Sequence, residues 1–86
     1  MPGVSINAKR WADADGVHLD VRGLPPPEPL VAILELLASI RDATAVIVHH
    51  ERDPQLLYPE LAEIGWSATR IEAAPGEVRL KLERVA

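Results

Sequence analysis

The chain contains no cysteine among its 86 residues. It therefore forms no disulfide, and it offers no thiolate for an iron–sulfur cluster, a zinc site or nucleophilic chemistry. Phenylalanine is absent as well, and aromatic residues make up only 3% of the sequence. Because 48% of the residues are nevertheless hydrophobic, we expect a globular protein whose core is filled by leucine, isoleucine, valine and alanine.

Clusters of basic residues are also missing. Nine lysines and arginines stand against 13 acidic residues, which gives a net charge of -4 and a pI near 5.2. Because phosphate contacts need clustered cations, this composition argues against a nucleic-acid partner. The longest apolar stretch, residues 30–40, is interrupted by Glu35 and is too short to span a bilayer. With no signal-peptide pattern near the start, we expect a cytoplasmic protein without a membrane partner.

The chain divides into two regions of different regularity. Residues 1–16 are interpreted as an N-terminal arm or short edge strand, in which Val4 and Ile6 alternate and "DADG" (13–16) forms a turn. Residues 17–86 are predicted to form a single domain. Within it, apolar and β-branched patterns predict strands at 17–21, 44–50, 66–73 and 78–85.

Four prolines surround the start of the first predicted helix, in the stretch "GLPPPEP" (23–29). The first turn of a helix leaves its N–H groups unpaired, so Pro27 at the first helical position removes no hydrogen bond. Glu28 adds a negative charge at the positive end of the helix dipole. The prolines therefore indicate where a helix begins, not where one is broken.

The second predicted helix follows "RDP" (52–54) and ends at Gly65. Asp53 is expected to be its N-cap and Pro54 its first residue. Pro59 is expected to kink or split this helix near Tyr58.

The resulting order, β-α-β-α-β-β, predicts an α/β (α+β) two-layer sandwich. We expect a mixed four-stranded sheet with two helices on one face and the other face open.

This order and the stretch "LDVRGLPPPEP" (19–29) resemble the TusA-like (SirA-like) sulfur-carrier family over residues 17–85. Members carry a Gly-Leu-x-Cys-Pro-x-Pro signature, which Gly23, Leu24, Pro27, Glu28 and Pro29 match. Pro26 stands in place of the nucleophilic cysteine. The sequence is most similar to a branch without that cysteine, the domain-of-unknown-function family 2249. The resemblance implies a TusA-like fold that has lost the sulfur-carrying thiol.

The motif loop is the first candidate binding site, because parallel α/β sheets usually bind ligands at the carboxyl ends of their strands. An alternative that we favour is that Asp20 and Arg22 pair and only brace the loop. The start of the second helix supplies further candidate residues, and Tyr58 there is expected to pack instead of taking part in catalysis. The candidate residues are Asp20, Arg22, Gly23, Pro26, Pro27, Glu28 and Pro29 in the loop, and Asp53, Pro54 and Tyr58 at the second helix.

His49 and His50 are the candidate metal or haem ligands, with His18 or Glu51 as a further ligand. Adjacent strand residues point to opposite faces of a sheet, so His49 and His50 are not expected to share one ion. We therefore predict no bound cofactor, and expect any metal binding to be weak and to need more than one histidine.

Trp66, Arg70, Arg79 and Lys81 are predicted to share the open face of the sheet. Tryptophan and arginine are favoured at protein interfaces, so this face is a candidate surface for a protein partner or for a homodimer. The alternative is a solvated face with Trp66 packed against a helix end.

Three functions remain open. The first is a non-enzymatic binding or adaptor module that has kept the carrier fold. The second is a metal- or haem-associated redox accessory protein using His49 or His50. The third, which we rank last, is a small enzyme using Asp20, Arg22 and Glu28.

The absence of cysteine predicts that this protein does not carry sulfur. Incubation with a cysteine desulfurase and labelled cysteine is expected to leave no covalent label on the chain. Intact-mass spectrometry checks this, and a stable sulfur adduct would contradict it.

Overall fold

The computed structural model describes residues 8–85, which form five strands and two helices. In chain order they are β1 (Lys9–Asp13), β2 (Gly16–Asp20), α1 (Glu28–Ser39), β3 (Val46–His50), α2 (Leu57–Ile64), β4 (Trp66–Ile71) and β5 (Val78–Arg84). Val4 and Ile6 of the predicted arm lie outside the described residues. Neither described helix is long and apolar enough to cross a membrane.

The strands form one mixed sheet in the order β1-β2-β3-β5-β4. β2 and β3 are parallel, and the other neighbouring pairs are antiparallel. The mixed sheet and the two helices confirm the expected class, but the expected count of four strands is wrong. The additional strand is β1, which pairs with β2 across the predicted turn at 13–16 and is exposed along its whole length. Because β1 buries no apolar face, its sequence carries no alternating pattern.

The hydrophobic core lies between the sheet and the two helices. On the sheet side it contains residues at alternate positions, which point to the same face. Its buried members are Leu19, Val21, Ala32, Ile33, Leu36, Leu37, Val46, Val48, Leu57, Leu61, Trp66, Val78, Leu80 and Leu82. In β5 the residues that face this core are Val78, Leu80 and Leu82.

The two helices begin differently from one another. α1 starts at Glu28, so Pro27 is its N-cap residue and not, as predicted, its first helical residue. The prolines nevertheless mark the start of the helix. α2 starts at Leu57, and the prediction of Asp53 as its N-cap is wrong. The carboxylate of Asp53 instead accepts hydrogen bonds from the side chains of Gln55 and Tyr58. Pro54 lies in a turn before the helix, closed by a hydrogen bond from the Leu57 N–H to the Pro54 carbonyl.

Pro59 does not split the second helix, contrary to expectation. α2 is continuous, and Pro59 is its third residue. Proline is tolerated there, because the N–H groups of the first turn have no partner within the helix. The helix ends as predicted at Gly65, whose φ of 79° is left-handed and strongly favours glycine.

The predicted common face for Trp66, Arg70, Arg79 and Lys81 is also wrong. Trp66 is buried in the helix-side core, and Arg70 pairs in register with Leu80 of the same face. Arg79 and Lys81 alternate with Leu80 and therefore point to the opposite face. The first residue of β4 is thus a core residue, and its indole is covered on one side by the guanidinium of Arg84 at 5.1 Å.

We expect Leu37→Ala to destabilise the protein by about 2–5 kcal/mol, because Leu37 is fully buried on α1 and its truncation leaves a cavity. Val31→Ala on the same helix is the matched control. It is expected to change the free energy of unfolding by no more than about 0.5 kcal/mol, because Val31 is exposed. Urea denaturation compares the two, and equal losses would contradict the buried face assigned to α1.

Candidate functional site

The motif loop leaves the carboxyl end of β2 and is held rigidly by ionic hydrogen bonds. The guanidinium of Arg22 donates to both carboxylate oxygens of Asp20, each at 2.9 Å, and the Arg22 backbone N–H donates to the same side chain. These bonds hold the pKa of Asp20 below its ordinary value. The Gly23 N–H donates to Glu51 at 2.7 Å, which ties the loop to the segment after β3. The bracing expected for Asp20 and Arg22 is therefore present.

Glu28 does not join this ion pair. It begins α1, and among residues 8–85 no hydrogen bond or ion pair links its side chain to Asp20 or Arg22. The contacts of the described residues join Asp20 to Arg22 and leave Glu28 outside this pair.

A cleft separates the motif loop from the start of the second helix. It has a volume of about 270 Å³ and is lined by residues of two stretches, 24–30 and 50–57. One wall carries Pro26, Pro27 and Pro29, whose rings present apolar surface without N–H groups. The rim carries Leu56, which is 75% exposed. We call this feature the proline cleft.

His50 lines the proline cleft and is buried. Its Nδ1 accepts hydrogen bonds from the backbone N–H groups of Glu51 and Arg52. Burial lowers the pKa of His50, so the neutral ring is favoured. With Nδ1 accepting, the ring proton is on Nε2, which makes this side chain a hydrogen-bond donor beside the apolar walls.

A second group of polar residues lies on the opposite face of the sheet. His18 Nδ1 and His49 Nε2 are 2.8 Å apart, and both rings are buried. His18 Nε2 lies 2.7 Å from Asp15 Oδ1, and His49 Nδ1 lies 2.8 Å from Glu77 Oε2. These four residues form an uninterrupted hydrogen-bonded series, which we call the histidine chain.

Both ends of the histidine chain hold ionised carboxylates. Glu77 receives two hydrogen bonds from Arg79, and these, together with His49, lower its pKa. The hydrogen bond with His18 lowers the pKa of Asp15. Trp11 of β1 stacks on His18 with ring centroids 5.1 Å apart and covers the chain from outside.

His49 and His50 point to opposite faces of the sheet, as the strand geometry predicts. His49 lies beside His18, one of the two partners considered for it, whereas His50 lies in the proline cleft. Glu51 bonds the motif loop instead of a histidine ring. The sequence alone did not indicate the roles of Asp15 and Glu77. The "DADG" turn was the only available signal for Asp15.

Glu77 is harder to identify from the sequence than Asp15, because it lies in the turn before β5. Its side chain is nevertheless only 7% exposed, and Arg22 approaches it to 3.9 Å in addition to Arg79. The open face therefore carries one connected polar network that extends from the β1–β2 turn to the motif loop.

A family model of uncharacterised conserved proteins, DUF2249, matches residues 18–84. The match covers more than half of the chain, which therefore belongs to this family. It includes the motif loop, the proline cleft and all of the histidine chain except Asp15. No curated protein matches the sequence.

Tyr58 is the only tyrosine, so its titration can be measured without overlap and reports on the start of α2. Burial and the hydrogen bond to Asp53 raise its pKa from 10.0 to about 12. Because this pKa is raised, the stabilisation from the neutral phenol is complete below pH 10 and is lost as the pH rises through about 12.

We expect Asp53→Asn to lower the pKa of Tyr58, but not to its ordinary value, because burial remains the larger cause. Absorbance of the tyrosinate during alkaline titration measures this. Asp42→Asn, in the loop before β3, is the matched control and is expected to leave the titration unchanged. An unaltered titration in Asp53→Asn would contradict the Tyr58–Asp53 hydrogen bond.

Proposed function

We propose that this member of the DUF2249 family is a non-enzymatic binding module with a TusA-like arrangement. In this proposal the proline cleft receives a short apolar segment of a partner protein. The main support for this proposal is an apolar cleft of about 270 Å³ beside the motif loop. The sulfur carriers that the chain resembles hold their cysteine at this position. Pro26 occupies that position, so the module keeps a docking place and lacks the transferable group.

The chemistry of the cleft favours an apolar occupant. Its proline wall has no N–H donors to bind an anion, and Leu24, Leu30 and Leu57 add further apolar surface. His50 supplies one donor, which suits a backbone carbonyl of an inserted segment. Ligand sites commonly combine apolar walls with a few placed polar groups.

The size of the cleft favours a side chain over a large cofactor. Small-molecule sites usually enclose roughly 300–1,000 Å³, and this cleft is slightly smaller at about 270 Å³. A haem at this site is therefore disfavoured, although His50 is present. One or two apolar side chains of a partner would fill the volume.

The charges at the rim of the cleft indicate which residues of the partner would flank the inserted apolar segment. Glu51 and Asp53 line the cleft with a single arginine, Arg52, and the whole chain carries a net charge of -4. Basic residues flanking an apolar anchor would complement this rim and accelerate encounter. A partner of this kind is a protein, in keeping with the expected absence of nucleic acid. A cytoplasmic location remains a prediction from the sequence.

Pre-organisation supports the proposal, because both walls are fixed before any ligand binds. Arg22 and Asp20 brace one wall, and the hydrogen bonds from Gln55 and Tyr58 to Asp53 brace the other. A rigid site loses little conformational entropy on binding. No comparable convergence supports the enzymatic alternative at Asp20, Arg22 and Glu28.

Selection of phage-displayed peptides against the chain tests the proposal. We expect enriched peptides with an apolar anchor beside basic residues, and we expect their synthetic versions to shift the amide resonances of Leu24, Leu30, His50 and Leu56. Leu56→Asp is expected to weaken binding at least about tenfold, because it puts a charge beside an apolar contact.

Ile64→Asp is the matched control, since Ile64 is also an exposed apolar residue but lies at the far end of α2. It is expected to bind the same peptides as the wild type. The proposal fails if no peptide is enriched, if the shifts lie elsewhere, or if the two variants behave alike. Self-association that Leu56→Asp abolishes would instead identify a second copy of the chain as the occupant.

A further inference from the structure

We infer that Asp13, Asp15 and His18 form a binding site for a divalent transition-metal ion at the β1–β2 turn, with His49 and Glu77 orienting the histidine ligand. One potential ligand atom from each of the three residues lies within 4.8 Å of the other two. The site is on the face opposite the proline cleft, and the inference does not depend on the proposed function.

The direction of the hydrogen bonds along the histidine chain carries the argument. The carboxylate of Glu77 only accepts, so His49 must donate its Nδ1–H to it. In the neutral ring, His49 Nε2 is then an acceptor, and His18 must donate its Nδ1–H to it across 2.8 Å. With Nδ1–H donated to His49, the hydrogen bond from His18 Nε2 to Asp15 requires a second proton on the ring, and a metal ion that replaces this proton binds the Nε2 lone pair.

That lone pair faces a carboxylate, Asp15, at 2.7 Å. Two acceptors at this distance repel each other unless a cation lies between or beside them. A proton on His18 satisfies Asp15 alone. The Asp13 carboxylate also has an oxygen within 4.8 Å of these atoms, so a divalent ion could bind both carboxylates and the lone pair together.

The arrangement around His18 is typical of a histidine that binds metal. Such a histidine usually donates its other ring N–H to an acceptor, which fixes the tautomer and the ring orientation. Here that acceptor is His49, which is anchored in turn by Glu77 and Arg79. The ring of His18 is only 9% exposed, so the ligand atom is held in a fixed direction.

The ligand types indicate which ions fit. One imidazole nitrogen with two carboxylate oxygens suits zinc, iron or manganese better than calcium or copper(I). The side chain of Asp15 is 55% exposed, so water can complete the coordination. The tight turn brings Asp13 and Asp15 together, and Gly16 permits it, because a side chain there would collide with the Ala45 carbonyl.

Titration calorimetry of the untagged chain with zinc chloride tests the inference. We expect saturation at one zinc ion per chain, and loss of this binding in Asp15→Asn and in Asp13→Asn. Both aspartates are exposed, so the variants are expected to stay folded, which circular dichroism checks. Glu63→Gln on α2 and His50→Gln in the proline cleft are the controls and are expected to bind like the wild type.

A second pair of variants tests the positioning role of His49. His49→Gln keeps an acceptor for the His18 Nδ1–H and is expected to retain most of the affinity. His49→Leu removes that acceptor and is expected to weaken zinc binding about 10–100-fold. Nitrogen chemical shifts of His18 provide the second readout, because zinc should displace the Nε2 resonance and leave Nδ1 protonated.

Three results would overturn the inference. They are the absence of saturable zinc binding, wild-type affinity in the folded Asp15→Asn variant, and loss of binding in His50→Gln.

Discussion

β2 pairs in parallel with β3, which brings the carboxyl ends of both strands to the same end of the sheet. Both the proline cleft and the histidine chain depend on this pairing. The pairing sets Asp20 opposite His49 and His18 opposite Ile47. On one face it allows the rings of His18 and His49 to meet. On the other face it leads the motif loop and the segment after β3 into positions where they enclose the proline cleft.

Local patterns in the sequence predict much of the fold. Alternation in "VHLDV" and "VRLKLERV" identifies β2 and β5, and the prolines locate the start of α1. β1 lies in the region interpreted as an arm or short edge strand, and no apolar alternation marks it, because its five residues are all exposed and its stability comes from backbone pairing. The start of α2 was misplaced, because the Asp53 side chain bonds two other side chains instead of capping the helix.

The histidine chain could not be read from the sequence for a different reason. Its members come from the β1–β2 turn, β2, β3 and the turn before β5, so only strand register brings them together. Alternation predicts that His18 points away from the helices, which is correct. It also implies exposure, whereas Trp11 from the neighbouring strand covers the ring. The buried imidazole pair is thus a tertiary feature.

The position of Trp11 has a consequence for the accessibility of the histidine chain. β1 is an edge strand that hydrogen-bonds to one neighbour only and buries no residue. Such a segment separates from the sheet at a lower free energy than β3, which is paired on both sides and buried throughout. When β1 detaches, both imidazoles lose their cover while the core remains closed. Solvent therefore reaches the paired rings at least as often as β1 opens, and the rate of amide hydrogen exchange in β1 measures that opening.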